Sequence, residues 1–138
     1  MLFRSLRSPP PPPERPTHGW VELALNGTDF GPCDTLLLDL WLGNGGAHLE
    51  QVNLHVALEA GGNYYFLSTW PSFPTFGEQP CPFRLDLEPG LEARARLLAI
   101  PLGQAPPVFS GTFYACLQRI VTGDPVGEVS EAAFTIGP

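Results

Sequence analysis

Apolar and polar residues alternate with a period of two along most of this chain, the pattern of strands with one buried face. From Thr35 to Leu42, the residues Leu36, Leu38, Leu40 and Leu42 fall on one side and Leu37, Asp39 and Trp41 on the other. Val52, Leu54, Val56 and Leu58 alternate in the same way against Asn53, His55, Ala57 and Glu59. Shorter runs at Trp20–Leu25, Tyr64–Leu67, Phe83–Leu87, Ala93–Ile100, Gly111–Leu117 and Val129–Ile136 complete the set. Clusters of glycine, proline and asparagine separate them, notably Asn26-Gly27-Thr28-Asp29, Gly43-Asn44-Gly45-Gly46, Gly61-Gly62-Asn63, Pro89-Gly90 and Thr122-Gly123-Asp124-Pro125. Gly61-Gly62-Asn63 has the composition of a tight hairpin turn.

Thr69 to Pro82 breaks the pattern. Prolines at 71, 74, 80 and 82 remove ladder donors, so this stretch is expected to be an ordered loop rich in aromatics. Seven or eight short strands without a helix predict an all-β fold, an antiparallel two-sheet sandwich rather than a barrel. Leu36, Leu38, Leu40, Val52, Leu54, Val56, Leu97, Phe113, Ala115, Leu117, Phe134 and Ile136 are the expected core.

Composition agrees. Seventeen prolines and fifteen glycines in 138 residues rule out a helical bundle, while 43% hydrophobic and 15% charged residues are those of a globular chain. The net charge is −7, from seven arginines, no lysine and fourteen acids. The nearest approach to a basic cluster is Arg94 and Arg96, expected on a solvated strand face beside Glu92. Nucleic acid and anionic membrane surfaces are therefore not expected partners. No run approaches the length of a membrane-spanning helix, and Met1 to Arg7 lacks the apolar core of a secretory signal.

Five consecutive prolines, Pro9 to Pro13, favour polyproline II and a stiff spacer. They divide the chain into an N-terminal arm or linker, residues 1–16, and one sandwich domain, residues 17–138. The arm is expected to be mobile in isolation, and in an assembly its apolar Leu2, Phe3 and Leu6 are expected to dock on a neighbour at the Leu37–Trp41 face.

Thr35-Leu36-Leu37-Leu38-Asp39-Leu40, Leu54-His55-Val56-Ala57-Leu58 with Gly61-Gly62 and Tyr65-Phe66-Leu67, and the ending Gly111-Thr112-Phe113-Tyr114-Ala115 with Val129 to Phe134 carry a likeness. Over residues 17–138 they resemble the immunoglobulin-like modules of bacterial secreted and surface proteins. The resemblance implies a non-enzymatic accessory, adhesive or assembly module, at the cell surface or outside the cell, without a cofactor. It departs from antibody-type domains at Tyr114-Ala115-Cys116. Counting from Gly111 puts Phe113 and Ala115 in the core register, so a disulfide through the middle of the core is not expected.

Candidate chemistry is sparse. Cys33 and Cys81, both in loops beside proline, are the expected disulfide, with Cys116 a strand thiol. A bridge closing about 50 residues would constrain the unfolded chain by roughly 3–4 kcal/mol. His18, His48 and His55 lack metal-ligand spacing, and Asp34, Asp39, Asp86 and Glu88 lack that of a calcium loop. Ser68 and Ser110 have no recognisable base, and no nucleophile elbow or phosphate loop is present, so an enzyme is not expected. Asn26-Gly27-Thr28 fits the glycan acceptor pattern.

The aromatics Tyr64, Tyr65, Phe66, Trp70, Phe73 and Phe76 form the candidate binding group, with Leu37 and Trp41 on the non-core side of the leucine strand. Rings on a proline-stiffened loop suit a protein contact with little entropy lost; the other reading is that the loop folds over one open end of the sandwich and its rings cap the core. The expected function is thus binding or assembly through protein contacts, with a second copy or a parent multidomain protein among the candidate partners. The alternative is a carbohydrate-binding module stacking sugars on Trp70, Tyr65 and Phe73. The residue pattern does not name the ligand.

Overall fold

Ten strands make up the computed structural model, which describes residues 16–70 and 74–138. They are β1 (Gly19–Leu25), β2 (Asp29–Phe30), β3 (Thr35–Asn44), β4 (Glu50–Ala60), β5 (Asn63–Thr69), β6 (Thr75–Gly77), β7 (Phe83–Leu87), β8 (Glu92–Pro101), β9 (Phe109–Arg119) and β10 (Pro125–Ile136). The eight longer strands are those the alternation marks. The two additions are short. β2 lies within the stretch read as a turn and adds a parallel edge to β10, while β6 lies within the stretch read as a loop and pairs with β5.

Two sheets pack face to face. The smaller has the order β1-β3-β8 and the larger the order β2-β10-β9-β4-β5-β6. β5 and β7 share one edge of β4, β5 pairing with Ala57–Ala60 and β7 with Glu50–Leu54. Between them β6 adds to β5, and Pro74, Pro80 and Pro82 fall outside the strands, where no ladder donor is needed. Gly61 and Gly62 both have positive φ, 62° and 82°, so the two-residue turn between β4 and β5 takes the mirror-image geometry that matches strand twist.

All twelve expected core residues are buried. Val21, Leu23, Phe30, Leu67, Leu87, Leu98 and Val126 join them in one cluster. Phe113 and Phe134 stack at 5.1 Å between ring centroids, and Phe109 meets Phe134 edge-on at 5.7 Å. Gly111 permits this closure. A Cβ there would lie 3.0 Å from both Glu59 O and Phe134 Cζ.

Asp39 departs from the expected pattern. It lies on the outer side of β3, as the alternation predicts, yet its exposure is 0%. The cause is a β-bulge. β3 and β8 are in register at Leu38 and Leu98, then shift so that Asp39 faces Arg96 and Leu97 is the extra residue. Arg96 Nε donates to Asp39 Oδ1 at 2.5 Å and Nη2 to Oδ2 at 3.4 Å. The bulge also lets Leu97 and Leu98 both face the core. Arg96 is therefore not on a merely solvated face.

A second buried polar group is Asn44, whose amide nitrogen donates to the carbonyls of His48 and Leu87, both at 2.8 Å. Its side-chain oxygen accepts from the Gly46 amide at 2.9 Å, so the group is satisfied and ties the β3–β4 turn to β7.

Leu38→Ala is expected to cost about 2–4 kcal/mol and Val56→Ala somewhat less. For Asp39 the structure replaces the small cost expected of a solvent-facing position. Arg96→Met would strand a buried carboxylate and is expected to cost about 3–5 kcal/mol. Asp39→Asn should cost less, because the Arg96 side chain is 41% exposed and can return to water. Urea unfolding at neutral pH measures both, and equal losses would contradict the asymmetry.

Candidate functional site

The outer face of the larger sheet carries the most developed surface site. Its rows follow from the register. Tyr64, Glu59, Thr112 and Ala133 form one row, and Phe66, Ala57, Tyr114 and Glu131 the next. His55 then faces Cys116, and Arg84, Asn53 and Gln118 complete the face. A shallow groove of about 590 Å³ runs across it, floored by His55, Ala57, Phe66 and Cys116 and walled by Tyr64, Tyr114, Pro80 and Pro125. Its lining is mainly apolar, unusual for the water-facing side of an antiparallel sheet.

Tyr64 is 54% exposed and lies 6.2 Å from Tyr114 between ring centroids, with the planes inclined at 46°. The two rings form a cleft, not a flat platform. Partial desolvation and the nearby Glu131, Tyr64 and Glu59 push the Tyr114 phenol above its ordinary value. The tyrosine end of the groove is thus electronegative.

His55 and Cys116 are cross-strand neighbours, a pairing that in other settings makes a nucleophile. Here burial pushes the Cys116 thiol up, whereas nucleophilic cysteines need it lowered. His55 Nε2 is engaged with Gln118 Oε1 at 3.2 Å. The pair is not an activated thiolate. Among the described residues, no group of three or more His, Cys, Asp or Glu side chains could hold a metal.

The structure divides the expected aromatic group. Tyr64 and Phe66 reach the outer groove. Tyr65 alternates to the inner side opposite Leu58. Trp70 and Phe76 pack against the core, Phe76 lying 6.5 Å from Phe113. The indole N–H of Trp70 donates to Arg96 O at 3.0 Å, fixing the ring across the open edge between the sheets. Phe73 lies outside the described residues, as do Leu2, Phe3 and Leu6 of the arm. The stacking surface of Trp70 and Tyr65 expected for sugar is therefore not assembled by these two residues.

Leu37 and Trp41 do share the outer side of the smaller sheet, both half-buried. Arg94 lies over the Trp41 ring at 5.3 Å, a cation–π contact. The sequence reading missed Tyr114, Cys116 and His55 as site residues, although the parity that sends Phe113 and Ala115 inward sends Tyr114 and Cys116 outward.

The cysteine expectation changes as well. Cys33, Cys81 and Cys116 are free thiols, so the bridge expected between Cys33 and Cys81 is not formed. Cys33 sits against the β8–β9 loop, its amide donating to Gly103 O, while Cys81 Sγ lies 3.6 Å from Ser68 O beside β5. The Asn26 side chain is committed too. Its amide nitrogen donates to Thr35 O at 2.9 Å and its oxygen accepts from Leu37 N at 2.8 Å, binding the turn to β3.

No protein-family model matches the chain, and no curated protein matches it. Among solved structures, AvmM, which catalyzes macrocyclization in alchivemycin A biosynthesis, is similar at 10% identity and a TM-score of 0.50, covering 89% of this chain and 90% of that one. The sporulation control protein Spo0M from Bacillus subtilis is similar at 10% identity and a TM-score of 0.44, over 86% of this chain and 48% of that one. The β-glucosidase EmGH1 from Erythrobacter marinus is similar at 12% identity and a TM-score of 0.48, over 88% of this chain and 16% of that one. The chain thus spans about half the length of Spo0M and a small part of the glucosidase. At such identities the likeness to AvmM bears on the fold alone.

Thiol reactivity tests the site geometry. In the native protein at pH 8, iodoacetamide should modify the exposed Cys33 and Cys81 readily and Cys116 slowly, because a raised pKa leaves less thiolate. Peptide mapping under non-reducing conditions should find no linked pair. Fast labelling of Cys116 would place it outside the groove floor.

Proposed function

We propose that this protein is a non-catalytic, immunoglobulin-like binding module that acts through protein–protein contacts, at the cell surface or outside the cell as the resemblance implies. The observation that carries the reading is the apolar groove on the outer face of the larger sheet, with Tyr64 and Tyr114 as exposed amphipathic walls. Aromatic anchors beside an apolar floor are the composition of contact hot spots.

The partner is an unlike protein presenting an apolar side chain with basic residues around it. Glu59 and Glu131 flank the tyrosines, and the chain carries −7, so a second copy docking groove to groove would set acid against acid. Self-assembly, if the chain assembles, would use another face. The carbohydrate alternative draws no support from Trp70 and Tyr65, which face inward, or from the inclined Tyr64–Tyr114 pair.

Tyr64→Asp and Tyr114→Asp test the proposal on surface residues whose loss leaves the core intact. Proteins retained from the native source by the immobilised wild-type chain should be lost by both variants, with unchanged thermal unfolding. Retention on polysaccharides, abolished by the same variants, would favour the carbohydrate reading. Retention of the same proteins by both variants would remove the groove from the function.

A further inference from the structure

The larger sheet forks on one edge of β4. Leu54 pairs with Phe83 of β7 and Ala57 with Phe66 of β5, whereas His55 and Val56 between them have no strand partner on that edge among the described residues. Behind the fork, between the two sheets, lies a cavity of about 140 Å³. Leu40, Val56, Leu67 and Leu97 line its inner end and are buried. Trp70, Phe83 and Ala95 line its outer end and are half-buried, so the cavity reaches the surface at the open edge between the sheets. It is on the opposite side of β4 from the tyrosine groove.

The size and the lining are both informative. Protein interiors leave few voids larger than a water molecule. A leucine-lined cavity of about 150 Å³ stays dry and takes up benzene or xenon. The present cavity is close to that size, and its side chains are apolar apart from the Trp70 indole N–H, which is already bonded to Arg96 O at 3.0 Å. A water molecule inside would need about two to four polar partners and finds none free. Apolar contact is all that the cavity offers.

We propose that this cavity is a binding site for the end of an aliphatic chain, which enters at the open edge beside Trp70 and leaves its polar head in water. Three features select that occupant. The lining has no group to recognise a polar ligand, so only hydrocarbon gains by entering. The volume takes a short stretch of hydrocarbon and no more, so a longer molecule inserts only its end. The half-buried rim at Trp70, Phe83 and Ala95 gives the remainder of such a molecule a way out to solvent, which a sealed packing void would not.

The experiment uses the full chain and two probes, benzene and octanoate, followed by nuclear Overhauser contacts to assigned methyl groups. Benzene protons should contact Leu40, Val56 and Leu67, and so should the terminal methyl of octanoate but not the protons beside its carboxylate. Ala95 lies opposite Leu40 on the edge strand β8, so Ala95→Leu fills the outer end from a half-buried position. It should weaken octanoate binding about tenfold, the loss of roughly two buried methylenes. Val56→Ile adds one carbon at the buried end and reads the space independently: the melting temperature should hold or rise, and a clear fall would mean there is no room to fill, overturning the proposal. Contacts from benzene alone would reduce the cavity to a packing void and overturn the chain-end assignment. Absence of contacts from either probe would overturn the site itself. Tyr64→Asp, in the outer groove, should bind octanoate as the native chain does. Loss of binding in that variant would move the hydrocarbon site to the groove and overturn this proposal, leaving the protein-contact reading to its own test.

Discussion

The sandwich depends on β3, the one strand of its sheet with neighbours on both edges. β1 pairs with it from Leu25 to Gly19 and β8 from Pro101 to Glu92, so the smaller sheet is held together only through its backbone. Its inner side, Leu36, Leu38 and Leu40, supplies much of the core. Slipping β3 by one residue would exchange these leucines for Asp39 and Trp41 and leave a charge in the apolar layer. The Asp39–Arg96 pair opposes that slip from the other side, since the carboxylate meets its guanidinium only in the bulged register. Hydrophobic burial and a charge pair thus select the same alignment.

The edges are poor docking sites by construction. β2 has two residues and β6 three, too short to template another strand. β8, the long edge of the smaller sheet, presents Arg94 and Arg96, ends at Pro101, and carries the bulge, all of which discourage strand addition. The two faces of the sandwich differ in character. On the larger sheet that face is an apolar groove with an electronegative end; on the smaller it is a tryptophan and arginine surface.

Much of this was legible from period-two alternation alone, because a half-buried strand writes its burial directly into sequence. The twelve core residues were read that way. What alternation cannot convey is the pairing of distant strands. The break at Leu97-Leu98 is visible as two consecutive leucines, but its consequence, Arg96 opposite Asp39, requires knowing that β8 lies beside β3. β2 and β6 were hidden because two or three residues carry no period. The aromatic run from Tyr64 to Phe76 was read as one constellation, whereas alternation along β5 and the turn beyond it send Tyr64 and Phe66 outward and Tyr65, Trp70 and Phe76 inward. The groove was missed because its floor comes from β4, β5 and β9, three separate stretches, each ordinary in isolation.

The three tryptophans show why burial and hydrogen bonding have to be considered together. All three rings are at least half shielded, and in sequence none differs from another in kind. Trp70 closes its account within the described fold: its ring covers the core and its N–H reaches Arg96 O. That makes it a structural cap. Trp20 and Trp41 shield their rings equally well but bring their donors to no acceptor. Apolar burial alone would have been served as well by leucine or phenylalanine, which carry no donor to satisfy. A buried indole N–H without an acceptor costs about 1–3 kcal/mol, so Trp20 and Trp41 are held by what their rings cover and not by their hydrogen bonds.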